Sequence, residues 1–500
     1  MKKRIHTLIT AMSEHMYERE HIIALSLVAG VAGLNTFLYG PPGTAKSLIS
    51  RRVSSAFEIT EYFEYLMNRF STPEEIFGPV SIKALKEDQY IRKTEHYLPR
   101  AEFAFLDEIW KASPAILNTL LTLVNEHSFK NGDMIQHVPL KVLMSASNEI
   151  PESDQGLDAL YDRFILRLVV PPIQQVNHFH ALLQAKPAMA KSEVDSALKI
   201  KKHELDEWRI QIYAVQLPDA VLAVFDEIKQ RLALNLDELN IYVSDRRWQR
   251  VAYLLKAVAF LDQRSQVALN DVFILQHCLW TQPEEIELIG QIVEESILEV
   301  GLKHGSMLDQ FIVEKEQLEQ DILNAYYYTD DVYESYLIAD TEYLRVTMNL
   351  DEHYKDRTLY LALDKMGTNK DFFAVDATGE EVRGIVCNYN GTRRCTLKGG
   401  YYGLEEVVTP YIKYPKGSVR SKVNEAQVTQ LSLQIEQMKL KLQQDAVQQT
   451  QIFAKEQQAL QSLFVLVTQA EKLAEAMQVR EALYQLQQQD CVRLEQLCQR

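Results

Sequence analysis

The sequence predicts an α/β domain with a parallel sheet, then an all-helical domain, then long helices interrupted by a small β-rich module. Three observations support this order. Short apolar segments that end in glycine-rich or polar turns alternate with helical patterns over residues 1–200, which is typical of α/β units. Helical periodicity fills residues 201–305. Strand-like segments reappear only within residues 330–418, between predicted helical segments at 306–329 and 419–500.

The first strand-like segment, Thr36-Phe37-Leu38-Tyr39, leads into a phosphate-binding loop. The loop reads Gly40-Pro41-Pro42-Gly43-Thr44-Ala45-Lys46-Ser47. Its backbone N–H groups and the following helix start are suited to hold phosphates. Lys46 is expected to reach the β- and γ-phosphates, and Ser47 to ligate Mg²⁺. Ala45 stands where the strict pattern has glycine, and we expect it to keep a negative φ. A fortuitous Gly/Pro turn is the alternative.

A second strand, Phe103-Ala104-Phe105-Leu106, ends in two carboxylates, Asp107 and Glu108. Asp107 is expected to hold Mg²⁺ through water, and Glu108 to activate the attacking water as a general base. A strand that merely ends in acidic turn residues is the alternative, but the position after a phosphate loop favours a catalytic pair.

The third and fourth parts of the predicted site follow in order. Asn148 comes directly after the apolar strand at residues 140–147 and is expected to contact the γ-phosphate or the attacking water. Arg163, in Asp162-Arg163-Phe164, is suited to stabilise transition-state charge in a neighbouring subunit. Arg167 is the alternative finger, and a salt bridge from Arg163 to Asp162 or Asp158 is the structural alternative.

These four parts, in this order, resemble the AAA+ ATPases, and further features resemble their MoxR branch. Residues 78–92 look like the hairpin inserted in the second helix of that branch. Residues 128–140, with the turn signal Asn131-Gly132, look like its second hairpin, and MoxR members commonly have alanine at the position of Ala45. Several strings resemble the RavA type: residues 63–67, 69–75, 107–112 and 242–248.

The resemblance implies roles for the helical domain. Residues 201–305 correspond to the AAA+ lid, and Arg246 occupies the position of the second sensor. It is expected to contact the γ-phosphate from within its own subunit, with Arg247 as the alternative. The resemblance also implies ATP, ADP and Mg²⁺ as ligands and assembly into a homohexamer. Its known partners are a von Willebrand factor A-domain protein and, for RavA-type members, an inducible lysine decarboxylase.

Composition narrows the choice of partners. The chain has 500 residues, a net charge of −16 and a hydrophobic fraction of 47%. The acidic balance argues against nucleic acid, which needs a basic face. The cysteines at 278, 387, 395, 491 and 498 show no metal-site or disulfide spacing. We expect no signal peptide, because no long apolar stretch directly follows Lys2-Lys3-Arg4. The most apolar run, residues 21–34, is too short to cross a bilayer, so we expect a cytoplasmic protein.

The C-terminal third of the chain changes in character. Residues 330–418 contain the strand-like segments Leu359–Leu363, Phe372–Val375 and Gly384–Cys387. Residues 422–500 lack proline and glycine, and apolar residues from Val428 to Leu442 recur every three or four positions, which indicates a helical hairpin or coiled coil. RavA-type proteins have this layout, and the inserted β-rich module there binds clients.

The sequence therefore predicts an Mg²⁺-ATP-hydrolysing ring ATPase that remodels or activates client complexes. Two alternatives stay open. A DNA helicase or translocase shares the inserted hairpins, although its basic pore or added DNA-binding module is not evident. The other alternative is a regulatory scaffold, in which nucleotide binding only controls assembly, although such a scaffold has no need of Glu108 and Arg163.

Overall fold

The computed structural model describes residues 1–500 except residues 60, 152–156, 186–193, 235–240, 349–356, 391–393, 400–403, 421–422 and 499–500. The chain divides into two compact units. The first contains residues 1–306 and 447–482, and the second contains residues 307–446 and 483–500.

A parallel five-stranded sheet forms the centre of the first unit. Its strands are β1 (Asn35–Tyr39), β2 (Tyr62–Leu66), β3 (Phe103–Asp107), β6 (Val142–Ser147) and β7 (Phe164–Val169), in the order β2-β3-β6-β1-β7. Tyr39 pairs with Ser147, and Asp107 pairs with Ala146. The carboxyl ends of β1, β3 and β6 therefore lie at one edge, because aligned parallel strands end on the same side.

Helices cover the sheet and continue into a helical domain. Those of the core are α1 (Lys2–Ser13), α2 (Glu20–Ala32), α3 (Lys46–Ser55), α4 (Pro73–Phe77), α5 (Ile82–Leu85), α6 (Pro114–Glu126), α7 (Asp158–Tyr161) and α8 (Val176–Gln184). Those that follow are α9 (Lys202–Tyr213), α10 (Asp219–Leu234), α11 (Asp245–Leu261), α12 (Leu269–Val272) and α13 (Ile286–Ser296). Helix α2 is buried almost throughout, so the apolar run at residues 21–34 is a core helix.

The two inserted segments differ in regularity. Strands β4 (Ser128–Asn131) and β5 (Met134–His137) form the expected hairpin. Residues 78–92 do not form a regular hairpin: their described pairing is one bridge between Val80 and Arg92, and α5 lies between them. The side chain of Asn131, only 2% exposed, accepts the Arg92 N–H at 2.7 Å and donates to the Arg92 carbonyl at 3.0 Å. This pair of hydrogen bonds joins the two segments.

The expectation that residues 419–500 all belong to one stalk does not hold for residues 447–482. They belong to the first unit, because their apolar side chains join its core. The buried members are Phe453, Phe464, Val465, Leu473 and Met477. The Glu456 carboxylate accepts the Leu269 N–H at 2.9 Å, and Asn270 donates to the Ala459 carbonyl at 2.9 Å. The tip of the helical hairpin is therefore part of the helical domain.

The second unit combines helices with antiparallel strands. Its helical parts come from α14 (Leu308–Tyr326), α15 (Glu425–Ala459) and α16 (Val467–Cys498). A seven-stranded sheet has the order β15-β14-β13-β12-β11-β10-β9, and β8 (Val332–Tyr333) pairs with β16 (Ile412–Tyr414). The seven strands are β9 (Ser335–Ile338), β10 (Thr341–Met348), β11 (Arg357–Ala362), β12 (Phe372–Val375), β13 (Glu381–Tyr389), β14 (Cys395–Gly399) and β15 (Leu404–Val408).

The two ends of this β-rich segment lie side by side. The Tyr328 N–H donates to the Ser418 carbonyl at 3.0 Å, and the Arg420 N–H donates to the Tyr326 carbonyl at 2.8 Å. A segment inserted between two helices must have its two ends close together.

Within the residues described, none of the helices combines the length and apolarity needed to cross a bilayer.

Candidate active site

The phosphate loop connects β1 to α3. An added Cβ at Gly40 would lie 2.4 Å from the Val170 carbonyl oxygen, so only glycine fits there. Gly43 has φ +83°, so a side chain there would be strained, although an added Cβ would meet no atom within 4 Å. The Lys46 ammonium donates to the carbonyls of Gly40 at 2.6 Å and Pro41 at 3.0 Å. Burial lowers the pKa of Lys46, while Asp107 and Glu108 raise it.

Ala45 departs from the sequence expectation. Its φ is +70° and its ψ is 24°, a left-handed conformation, so the expected negative φ is wrong. Left-handed backbone costs an L-residue about 1–2 kcal/mol relative to the right-handed region. The loop accepts this cost because the residue must turn the chain into α3, whose first residue is Lys46.

Asp107 and Ser47 meet at the end of β3. The Ser47 hydroxyl donates to Asp107 Oδ2 at 3.1 Å. Burial raises the pKa of Asp107, and the hydrogen bond from Ser47 and the charge of Lys46 partly oppose that shift. An oxygen pair at this spacing, one hydroxyl and one carboxylate, matches the ligand preference of Mg²⁺.

Glu108 lies beside Asp107 and is held by two partners. Its Oε2 lies 3.1 Å from the Lys111 ammonium and accepts the Ser147 hydroxyl at 3.4 Å. Its φ is +52°, another strained backbone position, which is common at functional sites. Sequence reasoning missed both partners, although Lys111 follows Glu108 by three residues, within reach of one helical turn.

Asn148 follows β6, which pairs with β1 on one side and β3 on the other. Its side-chain oxygen is buried and has no hydrogen-bond partner among the described residues. A buried amide oxygen without a partner is costly, and a water molecule beside a bound phosphate would satisfy it. The five side chains of Lys46, Ser47, Asp107, Glu108 and Asn148 thus belong to one edge of the sheet.

Arg163 and Arg246 lie at the opposite edge. They line a cavity of about 540 Å³ with Asn35, at the amino end of β1. The phosphate loop begins after the carboxyl end of this strand. Because a strand rises about 3.3 Å per residue, that end lies about 13 Å from Asn35. The expectation that Arg246 contacts the γ-phosphate of its own subunit therefore does not fit this geometry. Arg250, one turn after Arg246, lines the same cavity and was missed by sequence reasoning.

The alternative arginines have structural roles. Arg167 is fully buried on β7 and donates to the carbonyls of Phe164, Tyr161 and Trp280. Burial lowers its pKa to about 9. Arg247 is 3% exposed, and its Nη2 lies 2.8 Å from an Asp162 carboxylate oxygen. Both side chains are therefore committed to contacts within the chain.

By comparison with Arg167 and Arg247, Arg163 is only partly engaged in contacts within the chain. Its Nε donates to Asn125 Oδ1, and its Nη1 lies 3.9 Å from Asp162. Asp162 is occupied mainly by Arg247 and by the Ser244 hydroxyl at 2.9 Å. The salt bridge considered as an alternative for Arg163 is thus long and shared. Asp158 is not among the described salt-bridge partners of Arg163.

The residues fit a nucleotide triphosphate and its metal. The phosphate loop and Lys46 suit the phosphates, Ser47 and Asp107 suit Mg²⁺, and the unpaired oxygen of Asn148 suits a water. A parallel sheet of this order with this loop defines a P-loop ATPase of the AAA+ class.

Comparisons with known proteins place the chain more narrowly. A model described as the MoxR domain in the MoxR-vWA-beta-propeller ternary systems matches residues 3–210, and the AAA lid domain matches residues 220–293. Among proteins of Methanocaldococcus jannaschii, the uncharacterized protein MJ0079 is 33% identical over 320 residues, 64% of this chain and 79% of its own length. MJ0812, also uncharacterized, is 35% identical over 314 residues, with coverages of 62% and 81%.

A solved structure of a candidate ATPase from Cytophaga hutchinsonii shares 18% identity with a TM-score of 0.47, over 60% of this chain and 94% of that one. From the two family matches, which cover residues 3–210 and 220–293, the chain belongs to the MoxR-type AAA+ ATPases.

Proposed function

We propose that this chain hydrolyses Mg²⁺-ATP to ADP and phosphate as one subunit of a homohexameric ring. The observation that carries this proposal is the separation of two sets of residues. Lys46, Ser47, Asp107, Glu108 and Asn148 belong to the carboxyl edge of the sheet, whereas Arg163 and Arg246 line a cavity at its amino edge. The arginines can meet a phosphate only in a neighbouring subunit.

In this mechanism Lys46 binds the β- and γ-phosphates, and Ser47 and Asp107 hold Mg²⁺, which neutralises phosphate charge when bound. Asn148 orients the attacking water, and Glu108 takes its proton. Arg163 of the adjacent subunit stabilises the charge that develops on the transferred phosphoryl group. A finger of this kind contributes roughly a thousandfold or more in rate.

The cavity around Arg163 supports this role. Its lining includes four cationic side chains, Arg163, Arg246, Arg250 and Lys141, and one carboxylate, Glu126. Such an excess of positive charge suits the polyphosphate of a neighbour. We therefore assign Arg246 to the adjacent subunit's nucleotide together with Arg163.

The work of the ring is the remodelling or activation of client protein complexes, in the manner of a chaperone. The matched family model supports a von Willebrand factor A-domain partner. Resemblance to the RavA type supports the β-rich segment, residues 330–418, as the client-binding module. It also supports an inducible lysine decarboxylase as a client. The net charge of −16 disfavours nucleic acid. All five cysteines are free and buried, which suits a reducing cytoplasm.

A subunit-mixing experiment tests the ring mechanism. Arg163→Ala and Lys46→Ala subunits should each be inactive alone, whereas mixed rings should recover part of the ATPase rate. A composite site then has an intact phosphate loop facing an intact arginine. The control mixes Arg163→Ala with the double variant Lys46→Ala/Arg163→Ala, in which no such site can form. Absence of recovery in mixed rings verified by native mass would assign Arg163 to its own subunit.

A further inference from the structure

We propose that Lys111 is a second cation for the terminal phosphate of ATP, and that it holds Glu108 until that phosphate is bound. In the structure, the Lys111 ammonium lies 3.1 Å from a Glu108 carboxylate oxygen. The γ-phosphate of ATP competes for the ammonium, and the exchange releases Glu108 to act on water. ADP lacks the competing group and leaves the pair intact. This inference rests on the proposed ATPase function.

The backbone between the two residues is fixed, so only the side chains need to move. The Lys111 N–H donates to the Glu108 carbonyl at 3.0 Å, which closes a single 3₁₀ turn. The intervening residues anchor that turn, since Ile109 is 0% and Trp110 is 9% exposed. The Lys111 side chain is 35% exposed, whereas that of Glu108 is 14% exposed. The lysine is therefore the more solvent-accessible member of the pair.

Lys111 also lies within electrostatic range of the phosphate loop. Burial is the main cause that lowers the pKa of Lys46, and the charge of Lys111 lowers it further. Two ammonium groups that repel each other are both stabilised by an anion placed between them. The terminal phosphate of a nucleotide held by the loop has that charge.

A second contact keeps the carboxylate near its working position. The Ser147 hydroxyl donates to the same Glu108 oxygen that faces Lys111. Ser147 ends β6, next to Asn148, and its backbone carbonyl accepts the Gly40 N–H at 3.2 Å. After the ammonium leaves, this hydroxyl remains as a ligand that keeps Glu108 close to Asn148 and the water.

Nucleotide affinity provides the test, because it is independent of turnover. Binding of ADP and of a non-hydrolysable β,γ-imido analogue of ATP is measured with Mg²⁺ by calorimetry on the full chain. Lys111→Met should weaken analogue binding about tenfold and ADP binding less than twofold. Lys111→Arg should restore most of the analogue affinity, since it keeps the charge. Lys86→Met, an exposed lysine on the inserted segment, is the control and should change neither.

The double variant distinguishes exchange from a merely structural role. Glu108→Gln should tighten analogue binding severalfold, because Lys111 no longer has to leave a carboxylate. In Glu108→Gln/Lys111→Met that gain should disappear, so the two effects are not additive. Equal losses for ADP and the analogue, or additive effects, would overturn the inference. If Lys46→Ala abolishes binding of both nucleotides, such a result would overturn only the role of Lys111. Normal nucleotide binding by Lys46→Ala would instead refute the proposed ATPase site.

Discussion

The Ser47 hydroxyl donates to Asp107 Oδ2 across 3.1 Å. This bond joins the first turn of α3 to the end of β3, sixty residues apart in the chain. The two residues proposed to hold Mg²⁺ are therefore already side by side before any metal binds. Such preorganisation lowers the reorganisation that binding requires.

Glu108→Gln tests the general base. Glutamine keeps the shape of the side chain but cannot accept the proton from water. We expect nucleotide binding to persist and steady-state ATPase turnover to fall about a hundredfold or more. The exposed Glu87→Gln on the inserted segment should keep the parent rate. Parent-like turnover in Glu108→Gln would remove Glu108 from the mechanism.

Ala45→Gly tests the backbone strain in the phosphate loop. Because Ala45 has φ +70°, glycine should relieve a left-handed penalty and raise the free energy of unfolding by about 1 kcal/mol, less the entropy that glycine adds to the unfolded chain. Urea unfolding measures this difference. Ala115→Gly, in the exposed first turn of α6, should instead lower stability by about 0.5–1 kcal/mol. Equal destabilisation at both sites would contradict the described conformation.

Glu456→Gln tests the packing of the hairpin tip on the helical domain. Burial raises the pKa of Glu456 to about 7 from an ordinary value of 4.5, with Asp271 adding to the shift and Arg264 opposing it. As pH rises, the Glu456 carboxyl therefore loses its proton at a lower pH in the unfolded chain than in the folded protein. The stability that Glu456 contributes is full below about pH 4.5, and it is lost as pH rises through 7.

We therefore expect Glu456→Gln to be more stable than the parent at pH 8, by on the order of 2 kcal/mol. The difference should shrink toward pH 5, because the parent carboxyl is then protonated as well. Thermal unfolding across this pH range measures it. Glu471→Gln, exposed on the same segment, should show no such trend, and a flat difference for Glu456→Gln would place its carboxyl in water.

Replacement of residues 330–418 by a short Gly/Ser linker tests the module. Tyr328 and Ser418 are hydrogen-bonded neighbours, so a short linker can close the gap without strain. The ATPase rate and the number of subunits in the ring should be retained, while capture of a von Willebrand factor A-domain protein or another client should be lost. Loss of turnover would instead make the module part of the motor.

Much of the candidate site could be predicted from local sequence, because its motifs are short and the chemistry that they favour is specific. A strand, a glycine-rich turn and a lysine before a helix predict a phosphate loop wherever they occur, and two carboxylates at a strand end predict a metal and a base. Parallel pairing then brings Lys46, Asp107 and Asn148 to one edge, since all three follow the carboxyl ends of strands in one sheet.

Tertiary structure decided what local sequence left open. Arg246 and Arg247 are adjacent and chemically identical, yet Arg247 is buried against Asp162 while Arg246 is exposed in the cavity with Arg163. Arg167 is removed from consideration by burial in the same way. The left-handed φ of Ala45, the pairing of Lys111 with Glu108 and the docking of residues 447–482 also depend on groups distant in sequence or on backbone conformation. Residue type determined the available chemistry, and long-range packing determined which side chains remain free to perform it.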